Sequence, residues 1–204
     1  MKKSSVVALF LLSGFYFGQT MKVTAEYGSK DELTDQLMEF QNITVEKLNF
    51  SAVELIGRYP IVKIKEYKNG NLVKTETLLN PESYVKIEKS TYSLRFFAEL
   101  NDQNNMMKTF IRGDRFGTAR KFFPLFWKSK DYAFKDLFGS KTELFLDLKK
   151  ENTLFLITTP HDQGNGFSSW CEIAQSEIPP ENLGKHFKIP HYFLITIQFL
   201  DKHL

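Results

Sequence analysis

One cysteine, Cys171, in 204 residues excludes an internal disulfide and any structural zinc site built on thiolates. An excess of either charge is also missing, with 27 basic residues against 24 acidic ones. A balance this close argues against a nucleic-acid coat protein, which needs a clear cationic surplus, so no nucleic-acid partner is expected. No hydrophobic stretch reaches the roughly 20 residues needed to cross a bilayer, and no transmembrane segment is expected. Histidines are few, at positions 161, 186, 191 and 203, and none forms the His-x₃-His pair of a metal-binding helix. Neither a metal nor another cofactor is expected.

What is present is apolar and aromatic. The chain is 42% hydrophobic and carries 20 phenylalanines, a composition that excludes an acidic disordered polymer. Residues 1–18 have the parts of a secretory signal: Lys2 and Lys3, the apolar run Val6 to Leu12, then the small residues Ser13 and Gly14. No cysteine follows that could take a lipid. The leader looks bacterial, and its removal leaves residues 19–204 as a single domain, periplasmic or extracellular.

The remainder alternates with period two. Tyr92, Leu94, Phe96, Ala98 and Leu100 share one side of a segment whose other side carries Ser93, Arg95, Phe97 and Glu99. Pro190 to Leu200 repeats the pattern, with Phe193, Ile195, Ile197 and Phe199 on one face and His191 at the head of that row. Asn69-Gly70 accepts the positive φ angles of a type I′ turn, so residues 60–79 form a hairpin. That turn sets Tyr67 opposite Leu72, Lys65 opposite Lys74 and Lys63 opposite Glu76. Val62, Ile64 and Val73 then face the core, and the charged middle of the other face leaves that side of the sheet open. Residues 142–148 and 153–159 are apolar on both faces and read as a central hairpin. Weaker strands are expected near 22–27, 43–50, 84–89, 106–112, 118–127 and 168–175.

Helix signals are sparse. Ser29-Lys30-Asp31-Glu32 fits a capping box ahead of Leu33, Leu37 and Phe40, and residues 131–138 fit a short helical turn stopped by Gly139. About ten strands with one or two short helices imply an all-β, antiparallel two-sheet β-sandwich, with a closed lipocalin-like barrel as the alternative.

Two places are candidates for function. The loop from Thr159 to Phe167 and the residues after it bring His161, Asp162, Asn165, Trp170, Cys171 and Glu172 together. A thiol nucleophile needs a histidine base, and a hydrolase would use this loop. If 168–175 alternates as a strand, however, Cys171 shares a row with Ile173 and is a small buried hydrophobe. Asp162 and Asn165 are hard oxygen donors, yet two glycines stand where an EF-hand needs ligands. The second place is 112–135, where seven cations, among them Arg120, Lys121 and Lys128, outnumber two acids and interleave with seven aromatics, including Trp127 and Tyr132. Aromatic faces among cations suit sugars and polyanions. The plainer reading makes Phe122, Phe123 and Phe126 core and the cations a solvated face. Taken together, the chain reads as an exported, non-catalytic binding protein with a glycan or protein partner. A barrel-type carrier of a small apolar ligand stands second and the hydrolase third.

Overall fold

The computed structural model describes residues 20–82, 85–162 and 168–201; the side chain of Asp162 is excluded. The leader, Asn165 and the glycine-rich stretch 163–167 lie outside the described residues. Two antiparallel sheets stack face to face and do not close into a barrel. The first contains β1 (Thr20–Tyr27), β2 (Ile43–Ser51), β5 (Thr91–Asn101), β6 (Met106–Arg112), β7 (Lys121–Pro124) and β9 (Glu143–Asp147), in the order β7-β6-β5-β2-β1-β9. The second contains β3 (Tyr59–Lys68), β4 (Asn71–Leu79), β8 (Ala133–Asp136), β10 (Asn152–Thr158) and β13 (His191–Leu200), in the order β4-β3-β13-β10-β8. A small ribbon pairs β11 (His161–Asp162) with β12 (Ser168–Ser169). Helices are α1 (Glu32–Phe40), α2 (Cys171–Ala174) and α3 (Leu183–His186). No helix among the described residues is long and apolar enough to cross a membrane.

Alternating side chains from both sheets fill the space between them. Leu48, Phe50, Leu94, Phe96 and Met107 meet Val62, Ile64, Phe155, Phe193, Ile195 and Phe199. The rings interlock edge to face, Phe96 with Phe155 at 4.9 Å and Phe50 with Phe199 at 5.4 Å. A packed interlayer of rings in an open sandwich sets aside the closed barrel.

The outer face of the second sheet is covered too, contrary to the open face expected there. Tyr67, Leu156, Tyr192 and Leu194 pack beneath Ile173 of α2 and Leu183, Phe187 and Ile189 from α3 and its flank. Lys65 reaches sideways from this face to Glu151 at 2.8 Å. Coverage on both sides explains the unbroken apolar run of β10. Residues 143–147 do not share it. They form an edge strand on β1 in the other sheet, so the expected central hairpin is instead a crossing between layers. Asn152 Nδ2 donates to the carbonyls of Asp147 (2.8 Å) and Lys150 (2.9 Å), shaping that crossing.

The Asn69-Gly70 turn forms as expected, with φ of 49° and 72°, and Tyr67 opposes Leu72. A bulge between Glu66 and Tyr67 then shifts the pairing, so Lys65 meets Thr75 and Lys63 meets Thr77. Val73 is the extra residue and lies exposed rather than in the core. Residues 133–136 are strand β8 rather than a helical turn. Val85 to Lys89 is not a strand, although Val85 and Ile87 are buried.

The segment expected as a strand over 168–175 pairs only at Ser168–Ser169 and then coils into α2. Ser169 Oγ accepts the Glu172 amide at 3.1 Å and starts that turn. Two residues of helix rotate a side chain by about 200°, so Ile173 is buried while Cys171 is exposed. The expectation of an inward thiol rested on a strand's parity and fails with it. The folded protein is expected to react with one equivalent of a chromogenic disulfide reagent without denaturant; a reaction that waits for unfolding would overturn this placement.

Candidate functional site

The loops at one end of the sandwich carry the candidate site. Its centre is the stretch from Leu125 to Tyr132, which follows edge strand β7. Each part of this loop is tied to a neighbour. The Leu125 amide donates to the Asn105 carbonyl at 3.1 Å, and Asn105 Nδ2 returns a bond to the Leu125 carbonyl at 3.0 Å. The Ser129 hydroxyl donates to the Asp102 carboxylate. Trp170 Nε1 donates to the Asp131 carbonyl at 3.3 Å.

Beneath the loop lies a buried chain of three polar side chains, Tyr132, His191 and Glu66, which ends at the exposed Lys68. The Tyr132 hydroxyl accepts the amides of Phe126 (3.3 Å) and Trp127 (3.4 Å) and bonds His191 Nδ1. His191 Nε2 lies 3.1 Å from Glu66 Oε1, which also receives Lys68 Nζ at 2.9 Å. With two amides already donating to it, the tyrosine oxygen is best satisfied when its own proton goes to Nδ1 and Nε2–H goes to Glu66. Burial holds His191 below its ordinary value despite the opposing pull of Glu66, and burial pushes the Tyr132 hydroxyl up to about 12. All three groups thus keep the roles this chain demands at neutral pH. Burial raises Glu66, but its hydrogen bonds from Lys68 and His191 outweigh that and leave it ionised.

The consequence is a pair of rings held out in water. Phe126 and Trp127 are 61% and 47% exposed and meet edge to face at 5.5 Å. Phe122, on the outer face of β7, is 56% exposed. The reading that placed Phe122 and Phe126 in the core is therefore wrong for both, and right for Phe123, which packs on Phe193. Of these rings, Phe123 alone has inward parity in β7, and Phe126 lies beyond the strand's end.

The other sequence-derived candidates separate. Tyr132 is buried and acts as an anchor rather than a contact surface. Lys128 is exposed beside Trp127. Lys121 is drawn to Glu76 at 3.3 Å, and Arg120 lies over the Phe110 ring at 5.8 Å from its centroid. Trp170 is half-buried and braces the loop. His161 is half-buried too, with Nδ1 bound to the Phe187 carbonyl at 3.0 Å. No hydrogen bond joins His161 to the exposed Cys171 among the described residues. Among those residues no three His, Cys, Asp or Glu side chains converge as metal ligands would.

No family model, no curated protein and no solved structure matches this chain. The site therefore has to be read from its own chemistry. His191 and Glu66 were not among the sequence-derived candidates. The visible signal was a histidine heading an otherwise apolar row and a glutamate at the end of the Val62, Ile64 row, two polar groups at the same end of neighbouring strands.

Proposed function

We propose that the chain is an exported, non-catalytic binding protein that recognises a glycan or protein partner through the Phe126–Trp127 loop. The observation that carries this reading is the fixed backbone under exposed rings. Large apolar groups in water are unfavourable unless something covers them, and tying their loop at four points removes the entropy that ordering on contact would otherwise cost. Trp is among the side chains that dominate recognition patches, and aromatic faces attract cations.

A glycan array and a capture experiment with envelope extract, run with wild type and Trp127→Ala, test the reading. A partner held by this loop is expected to lose about tenfold or more in affinity on truncation of Trp127. The indole is exposed, so folding stability is expected to stay within about 0.5 kcal/mol of wild type. Equal signal from both proteins, or none from either, sinks the proposal.

A further inference from the structure

Helix α1 is inside out. Asp31 caps it, with Oδ1 accepting the Thr34 amide at 2.8 Å; Ser29, the residue expected to cap it, instead accepts the Asp31 amide. Leu33, Leu37 and Phe40 fall at i, i+4 and i+7, one stripe of a 3.6-residue helix. That stripe faces water along its whole length, and Phe40 is 87% exposed. The side toward the body holds Met38, half-buried above Ile43 and Val45, and Asp35, which accepts the Ser29 amide at 2.9 Å. Glu32 and Glu39 flank the stripe, and the helix contains no cation. An acidic amphipathic helix is repelled by an anionic membrane surface, so the occupant it fits is apolar and cationic.

The same chain carries that surface. Phe122, Phe126 and Trp127 stand beside Lys128 and Lys130, both exposed and in no ion pair among the described residues. Strand pairing places the two surfaces on one rim of the first sheet. Ile43 opposes Glu99, Asn101 opposes Met106, and Met106 opposes Pro124. Three to four strand spacings separate them, about 15–20 Å. A two-fold axis passing between them seats each helix on the other copy's aromatic loop, and both contacts form at once.

We infer that the Leu33–Leu37–Phe40 face of α1 docks on the Phe122–Phe126–Trp127 loop of a second copy, giving a reciprocal two-fold dimer. This rests on the reading of that loop as a recognition surface and names its partner. Six large side chains at these exposures offer on the order of 500 Å² of apolar surface. At the usual apolar share of an interface that corresponds to roughly 800 Å² per partner, the size of a standard stable contact.

Sedimentation velocity over a wide concentration range tests the inference. Wild type is expected to be a concentration-dependent dimer. Phe40→Asp is expected to weaken it about thirty-fold or more while leaving Tm unchanged at concentrations where both proteins are monomeric, because the ring of the single chain is already in water. A Glu32→Lys/Glu39→Lys variant and a Lys128→Glu/Lys130→Glu variant are each expected to be monomeric, and an equimolar mixture to regain the dimer. A wild type that stays monomeric, grows into open polymers, or ignores Phe40→Asp overturns the inference, as does a mixture that fails to recover. If the chain is monomeric while Trp127→Ala still abolishes capture of a glycan or another protein, the recognition loop stands and only its assignment to a second copy is lost.

Discussion

The His191→Ala variant is expected to lose about 3–5 kcal/mol of folding free energy at neutral pH, measured by urea denaturation. The imidazole is fully buried, and its two nitrogens connect Tyr132 to Glu66. Its removal leaves a buried carboxylate with only Lys68, a tyrosine hydroxyl with no acceptor, and a cavity beside Phe126 and Phe193. Trp127 emission is expected to shift as its loop loosens. The same histidine sets a pH dependence. Burial lowers its folded value below the ordinary 6.5, so the unfolded chain takes up the proton first. The stabilisation is fully present above about 6.5 and is lost as pH falls through the lower folded value. Protonated Nδ1 becomes a donor aimed at an oxygen that already receives two amides, so acid unfastens the aromatic loop. Glu66, also lowered, adds a decline that begins only below its ordinary 4.5. In His191→Ala the first of these slopes is expected to disappear. A stability curve of unchanged shape, displaced only in height, would show that the relay does not titrate as described.

Much of this architecture is legible in the residues because a pleat sorts them mechanically. The rows Leu94–Phe96–Ala98–Leu100 and Phe193–Ile195–Ile197–Phe199 are core rows in the structure, as their alternation requires. The Asn-Gly turn is equally local and forms where expected. What alternation cannot report is which sheet a strand joins. Residues 143–147 and 152–158 look alike in sequence, but one is an edge strand and the other lies mid-sheet under helices supplied by residues 171–186. Nor can it report a bulge, and a single extra residue moved Val73 from core to water. Of the candidate site, Trp127 and Lys128 were recognisable because cations and rings cluster in sequence. The relay was not, since Glu66, Tyr132 and His191 are distant in the chain and meet only when β3, the 125–132 loop and β13 converge. The stripe on α1 was visible as a pattern. Its outward orientation was hidden, since spacing defines a face without saying what lies opposite.

Glu46→Gln is expected to leave stability unchanged below about pH 4.5 and to raise it by about 3 kcal/mol or more above about pH 8. Glu46 lies in the inward row of β2, opposite Phe96 on one side and Tyr27 on the other. It is 5% exposed, and its Oε2 has no hydrogen-bond partner among the described residues. Burial, reinforced by the nearby Asp136 carboxylate and only partly offset by Lys135, pushes its carboxyl up to about 8. Tyr27 hydrogen-bonds to the same Asp136. The folded chain therefore holds a proton that the unfolded chain releases near the ordinary 4.5. Stability is fully present below 4.5 and declines as pH rises, levelling out once Glu46 ionises near 8. Glutamine keeps the shape and cannot ionise, so the decline is expected to vanish. A ΔTm between wild type and Glu46→Gln that stays constant from acid to alkaline pH would refute the raised carboxyl. The corner that ionises adjoins the base of α1, where Tyr27, Met38 and Val45 line one cleft. Alkaline conditions are therefore expected to loosen α1 while low pH loosens the aromatic loop, leaving both surfaces of the rim ordered only in the interval between the His191 and Glu46 titrations.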